Sequence, residues 1–537
     1  MNYFIGVDVG TGSVRAGIFD STGKKYAIAK KDITTWSYEK IYKEQSSDEI
    51  WNNICEVVNK IILDSGVNKE EITGIGFDAT CSLVALDKFG QPITVSKTGN
   101  NNQNIILWMD HRASEETNII NSKNNKILDF VGGKVSIEME IPKLLWLKNN
   151  LPSVYDNIDL FFDLPDFLVY KATGETIRSL CSLGCKWNYL NHEKKWSDEF
   201  FKEIGLNELV KTNYKKIGGN IKSIGEVAKN ISNKAARELG LTTQTQVGVS
   251  IIDAHAGGIG VIGIDDGENI AYNERLALIG GTSSCHMAVS SNMIKVNGIW
   301  GPYFNAMLPD MWLLEGGQSL TGALIDYTIK THPAYNELEI QANKNNRNIY
   351  EELNFILDNL SKNDEVDYLT KDKHILPYFI GNRSPRANAD LKGMISGIGI
   401  ETSIEDMAIT YLATIQAVAY GTRHIIEVMN QAQFNINKIF MTGGGTKNPL
   451  FLKTHSNITE CKIFLGEEEE SVLLGAAILG AVSSKEYANL YIAMEKMSNL
   501  GKIIEPNILL KEYHDKKYKV FKKMYEDYIS YNEIMNS

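Results

Sequence analysis

Three short apolar runs each end in a glycine-rich turn that carries hydroxyls. Residues 4–9 lead into Gly10-Thr11-Gly12-Ser13. Residues 276–279 lead into Gly280-Gly281-Thr282-Ser283, and residues 439–441 into Thr442-Gly443-Gly444-Gly445. Glycine after a strand lets backbone N–H groups approach a ligand with no Cβ in the way. The Thr and Ser hydroxyls add donors, and such a nest of donors suits phosphate. One loop of this kind reads equally well as a hairpin turn. Three of them, divided between the two halves of a 537-residue chain, constrain the fold far more.

The surrounding pattern is α/β. Residues 4–9, 14–19 and 26–29 read as a strand meander. Ser46-x-x-Glu49 is a capping-box pattern. It opens a helix with Ile50, Trp51, Ile54, Val57, Val58, Ile61 and Ile62 at helical spacing, and Gly66 is the stop. Residues 72–77 and 83–86 read as strands. A second series starts with an apolar strand at 247–252 that ends at Asp253 and leads into a Gly-rich helix. A long buried helix is expected over 407–430, and an apolar helix with small residues on one face over 471–482. The charged tail from about 490, with its basic stretch at 511–523, reads as a solvated amphipathic helix.

Strand, Gly-Thr turn, strand occurs at residues 7–14 and again at 278–287. Two large domains around a cleft are therefore expected, over 1–256 and 257–490, with a helical extension over 491–537.

Composition narrows the classes of function. Hydrophobic content is 43% and charged content 23%, ordinary for a globular chain. The net charge of −11 argues against a nucleic-acid partner. The apolar stretches at 247–264 and 472–482 are too interrupted or too short to span a membrane. The start has no basic n-region and places Asp8 where a leader needs apolar residues. Six scattered cysteines read as free thiols, so a reducing, cytoplasmic setting is expected. The sequence does not set the oligomeric state, and a homodimer stays open.

Other nucleotide motifs fail or fit poorly. There is no G-x-x-x-x-G-K-[ST]. Gly258-x-Gly260-x-x-Gly263 matches a dinucleotide fingerprint, but Asp253 and His255 precede it where a strand should run. Close helix packing explains those glycines better. His255 and His286 read as satisfied structural residues, and no His/Cys spacing supports zinc.

Asp8 stands at a strand end beside the first loop. A carboxylate there repels phosphate unless a cation intervenes, and Mg²⁺ is the expected one. Its bland alternative is local capping. Arg15 on the next strand can supply charge toward phosphate. Asp253 opens a helix, where the helix dipole alone would favour it. The functional alternative is a general base that accepts a proton from a substrate hydroxyl. Polar groups suited to a sugar concentrate in Asp78-Ala79-Thr80-Cys81-Ser82, Trp108-Met109-Asp110-His111-Arg112 and Cys185-Lys186-Trp187.

These pieces, in this order, resemble the FGGY carbohydrate kinases of the actin-like/hexokinase-like ATPase superfamily. The resemblance spans about residues 3–485. It rests on Gly6 to Arg15, Trp108-x-Asp110-x-Arg112, Ile252 to Gly257, Gly280 to Ser283, Gly316-Gly317-Gln318-Ser319 and Thr442 to Asn448. Gly393 to Ile398 followed by Asp406-Met407 fits the family's C-terminal signature, except that Thr410 replaces the usual Ala or Ser.

The resemblance implies two ribonuclease-H-like domains, ATP as donor and Mg²⁺. It implies Asp253 as catalytic base and Asp8 near the metal. Thr11, Gly12, Ser13 and Arg15 match the first phosphate loop, and Gly281, Thr282 and Ser283 the second. Gly443, Gly444 and Asn448 match the adenosine-side loop. Thr80 and Cys81 stand where relatives bind sugar, but without the Gly-Gln-Met-His-Gly of xylulose kinases or the Asn-Gln-Arg-Glu of glycerol kinases. Asp78 to Val84, Cys181 to Trp187 and Leu314 to Ser319 are similar to the ribulokinase-like branch. That branch implies sugar contacts at Lys186 and Glu315, with D-ribulose as the first substrate and ribitol, L-ribulose or xylulose as alternatives. A non-kinase actin-like ATPase or binding module is the rival of another class.

Overall fold

Tyr3–Val9, Ser13–Asp20 and Lys25–Asp32 form the expected antiparallel meander. The computed structural model describes every residue except Asn269 and Asn363. The chain divides into two units. The first comprises Met1–Ile270, Val289–Leu314 and Gly466–Leu500, and the second Ala271–Ala288, Glu315–Leu465 and Gly501–Ser537.

In the first unit the meander is the edge of a larger sheet. Its strand order is Val227–Asn230, Gln246–Gly248, Ile72–Ala79, Tyr3–Val9, Ser13–Asp20, Lys25–Asp32. Tyr3–Val9 runs parallel to Ile72–Ala79, in a register that sets Gly6 beside Gly76 and Asp8 beside Asp78. The expected continuous strand at 247–252 is two pieces. Val247 pairs with Ile75, and Ile251–Ile252 pair with Asp78–Ala79. Between them the Ser250 hydroxyl donates to Asp166, 2.7 Å away.

The helix Ser47–Ser65 starts where expected but with half a capping box. Ser46 Oγ accepts from the Glu49 N–H, while the Glu49 carboxylate accepts from the Thr34 N–H instead of reaching back to the cap. Gly66 ends the helix at φ 66°.

The helix Ser471–Ser483 is apolar on nearly every face and almost wholly buried. Its small residues let it lie directly on the sheet. A Cβ at Gly6 would sit 2.0 Å from the Leu473 carbonyl oxygen, and one at Gly76 1.9 Å from that of Ala476. The helix Asp253–Ile262 packs as closely on its other side. A Cβ at Gly260 would lie 2.0 Å from the Ser471 oxygen, and one at Gly475 1.9 Å from the Ala256 oxygen. The 258–263 glycines thus permit helix packing, as expected.

In the second unit Arg275–Gly280 pairs antiparallel with Ser284–Ser290 and parallel with Lys438–Gly443, which in turn pairs with Lys462–Gly466. The long helix Ile404–Gln431 is mostly buried and is capped by Ser403. The tail helix Lys511–Asn536 is more than a solvated face. Tyr518, Phe521 and Met524 join a buried cluster with Tyr378 and Tyr420. Lys517, inside the basic stretch, donates to the carbonyls of Thr370 and Lys373 at 2.6 Å each. Among the described residues no helix is long and apolar enough to cross a membrane.

Candidate functional site

In the first unit, parallel register brings two strand-end carboxylates together. Asp8 is buried and accepts from Arg15 Nε at 2.8 Å. Asp78 is fully buried, and among the described residues neither carboxylate oxygen has a hydrogen-bond donor. Burial, then the charge of Asp8, then that of Asp253 hold its carboxyl well above the usual carboxylate range. Asp253 is the first residue of its helix and follows the strand Ile251–Ile252 that pairs with Asp78–Ala79. Its Oδ1 accepts from the Ala254 N–H at 2.7 Å. Burial first, and Asp8 second, raise its carboxyl to about 6.

This set offers hard oxygen donors. Asp8 and the two donor-free oxygens of Asp78 fit a divalent cation such as Mg²⁺. Arg15 balances the acids. Its guanidinium is paired with Asp8 and, at 2.7 Å, with Glu470, while 32% of its side chain stays exposed.

The first glycine loop closes through Gly10 N–H to Ser13 O at 3.0 Å. Gly12 is exposed, and nothing lies within 4 Å of a Cβ placed on it. Trp108 ties the loop to the neighbouring turn. Its indole N–H donates to Thr11 Oγ1 at 3.0 Å and its backbone N–H to Ser82 Oγ at 3.2 Å. Ser82 Oγ is in turn 3.2 Å from Thr80 Oγ1.

Asp110 is fully buried and its oxygens are engaged. Arg112 donates to both, and the Lys43 N–H donates to Oδ2 at 2.6 Å. Arg112 also reaches Glu44 at 2.7 Å and lies over the Tyr42 and Trp146 rings. As placed, Asp110 locks the 107–112 turn.

Cys81 is buried, and burial pushes its thiol up, with Lys186 opposing. The Lys186 ammonium lies over the Trp300 ring, 5.6 Å from its centre. Glu140 is fully buried 3.4 Å from Lys143, and burial raises its carboxyl to about 7. Asp163 accepts from the Trp187 indole at 3.1 Å. Sequence reasoning counted Asp78 among polar groups suited to a sugar and did not pair it with Asp8; it assigned no site role to Glu140, Asp163 or Trp300. One signal for Asp78 was present, because Ile75-Gly76-Phe77-Asp78-Ala79 repeats the form of Ile5-Gly6-Val7-Asp8-Val9.

The second unit contains a cavity of about 820 Å³, within the range of small-molecule sites. Gly281, Thr282, Gly444 and Asn448 line it, with Tyr350 and Lys447. Ser283 and Gly443 are not in its lining. Gly443 has φ 99°, and a Cβ there would meet the Gly280 oxygen at 2.1 Å. Only glycine fits both the angle and the gap. Asn448 caps the helix Pro449–Thr459 by accepting from Leu450 N–H, and donates to the Tyr411 hydroxyl at 2.6 Å. Glu315 is buried on the strand Trp312–Gln318.

The model of the FGGY family of carbohydrate kinases, N-terminal domain, matches residues 3–260, and that of the C-terminal domain residues 276–484. A human FGGY carbohydrate kinase domain-containing protein is 48% identical over 99% of this chain and 98% of its own length. A D-ribulokinase of Saccharomyces cerevisiae is 41% identical over 90% of this chain and 72% of its own. A crystal structure of xylulose kinase from Rhodospirillum rubrum superposes with a TM-score of 0.81 at 17% identity, covering 99% of each chain. That likeness carries the actin/hexokinase-like ATPase fold.

Proposed function

Because the chain belongs to the FGGY family of carbohydrate kinases, we propose that it transfers the γ-phosphate of ATP to a pentulose, D-ribulose to D-ribulose 5-phosphate first among them. The observation that carries the reading is Asp253. It is a carboxylate at a helix start, raised to about 6 by burial and by Asp8, with Lys186 opposing. A base with that value is mostly ionised at neutral pH and still takes a proton well. The identity to a D-ribulokinase supports the choice of sugar.

Asp253 accepts the proton from the terminal hydroxyl, whose oxygen bonds to the γ-phosphorus as the bond to the β,γ-bridging oxygen breaks and ADP leaves. Lys186, Thr80 and Glu315 bind the sugar's oxygens. Cys81 contributes a neutral wall, because its raised pKa keeps the thiol protonated. Asp110 acts on the sugar wall through the turn it locks. Thr11, Gly12, Ser13 and Arg15 are the proposed phosphate contacts of the first unit, and Gly281, Thr282 and Ser283 those of the second. Gly443, Gly444 and Asn448 form the adenosine side. Asp8 and Asp78 would hold Mg²⁺, which when bound neutralises phosphate charge. The cellular setting we propose is the cytoplasm.

The test is ADP release across a panel of D-ribulose, L-ribulose, D-xylulose, ribitol and glycerol. D-Ribulose should give the highest kcat/KM, by about tenfold or more. A higher value for another pentulose or pentitol would move the assignment to that sugar. ATP turnover indifferent to every sugar would favour the non-kinase ATPase.

A further inference from the structure

A second cluster in the first unit is chemically unlike the carboxylates. Cys181 and Cys185 lie one turn apart on the helix Leu180–Lys186, and therefore on one face. His255 lies in the first turn of the helix Asp253–Ile262. The fold brings the three together. Cys181 Sγ is 3.0 Å from His255 Nδ1, and all three ligand atoms lie within 4.8 Å of one another. Each residue is at most 1% exposed.

Two thiols and one imidazole suit a soft or borderline cation and not Mg²⁺. In a tetrahedral zinc site, bond lengths of about 2.3 Å to sulfur and 2.0–2.1 Å to nitrogen set S···S near 3.8 Å and S···N near 3.6 Å. The observed spacing needs adjustment of only about half an ångström on the Cys181–His255 side. Charge also balances. Two thiolates neutralise a dication, so burying the ion leaves no net charge in the core.

We propose that Cys181, Cys185 and His255 form a binding site for one Zn²⁺ per chain. It is separate in chemistry from the Asp8–Asp78 pair. His255 is two residues beyond Asp253 on the same helical turn, so occupancy stiffens the segment that carries the proposed base.

The test uses the full-length chain, reduced and metal-free, with saturating Mg²⁺ and ATP to occupy the hard-donor sites. Zn²⁺ is titrated against a chromophoric chelator, and X-ray absorption is recorded on the zinc-loaded protein. One Zn²⁺ per chain is expected, with two sulfur scatterers and at least one nitrogen. Binding should weaken by at least about tenfold in Cys185→Ser and disappear in Cys181→Ser/Cys185→Ser. A first shell without sulfur would overturn the proposal, as would unchanged binding in the double variant. If the variants do not fold, the absorption spectrum of the unaltered chain decides by itself. Substitution with Co²⁺ then gives a second reading, because a thiolate-to-cobalt charge-transfer band is expected and its absence would count against the site.

Discussion

Asp8 and Asp78 are register partners on adjacent parallel strands, both at strand ends and both buried. One is balanced by Arg15, while the other has no donor on either oxygen among the described residues. Two buried acids side by side disfavour double ionisation unless a cation is bound, which fits the Mg²⁺ site proposed above. Asp78→Asn should therefore leave the protein at least as stable as the parent, while raising the Mg²⁺ concentration for half-maximal activity by about tenfold. Thermal unfolding and a Mg²⁺ titration of turnover check this. An unchanged Mg²⁺ requirement would remove Asp78 from the cation site.

With Asp253 as the proposed base, its carboxyl is expected to set the acid limb of the pH profile. Protonation disables a general base, so kcat/KM for the sugar should fall as pH drops through about 6 and level off above it. Asp253→Asn should lower kcat by about 10²–10⁴-fold with ATP binding retained. Turnover near the parent's would rule out the base assignment.

Lys186 lies over Trp300 and faces the Cys81 neighbourhood electrostatically. Lys186→Ala should raise the KM for the sugar about tenfold and leave that for ATP within about twofold. Equal changes in both would argue against a sugar contact.

Gly475 is where the helix carrying Asp253 meets its support. A Cβ there would sit 1.9 Å from the Ala256 oxygen, and backbone cannot move aside as a side-chain tip can. Gly475→Ala should cost about 1–3 kcal/mol or more and lower kcat, because the 253–262 helix must shift. Denaturant unfolding and steady-state kinetics measure the two effects. Unaltered stability would contradict the packing described.

His286 and His455 are buried in the second unit, and burial lowers their pKa values to about 3 and about 4. Both are depressed below the unfolded value, so the unfolded chain binds more protons at mildly acid pH. Their contribution is complete above about 6.5 and is lost as pH falls toward 4. His455→Gln should reduce the proton uptake on unfolding at pH 5 by about one. Calorimetry in buffers of different ionisation enthalpy reads that number, and an unchanged uptake would mean His455 is already protonated in the native state.

Much of the chemistry was legible before any coordinates. The three loops, the meander, the helix stop at Gly66 and the strand-to-helix step at Asp253 are local. Glycine conformational freedom and hydrophobic period set them within a few residues. The half capping box at Ser46 and the broken strand before Asp253 were not legible, because Thr34 and Asp166 are distant in sequence. The buried face of the 511–536 helix was hidden for the same reason. A basic run looks solvated until Thr370 and Lys373 offer carbonyls to Lys517.

The sequence alone therefore determined the class of fold and the three glycine loops, because those depend on short runs of chain. Tertiary structure decided which acids share a site and which cysteines meet a histidine. Asp8 and Asp78 are 70 residues apart, and Cys181 and His255 are 74 apart. Only strand register and helix packing bring such pairs within reach, and no local pattern encodes a distance of that kind.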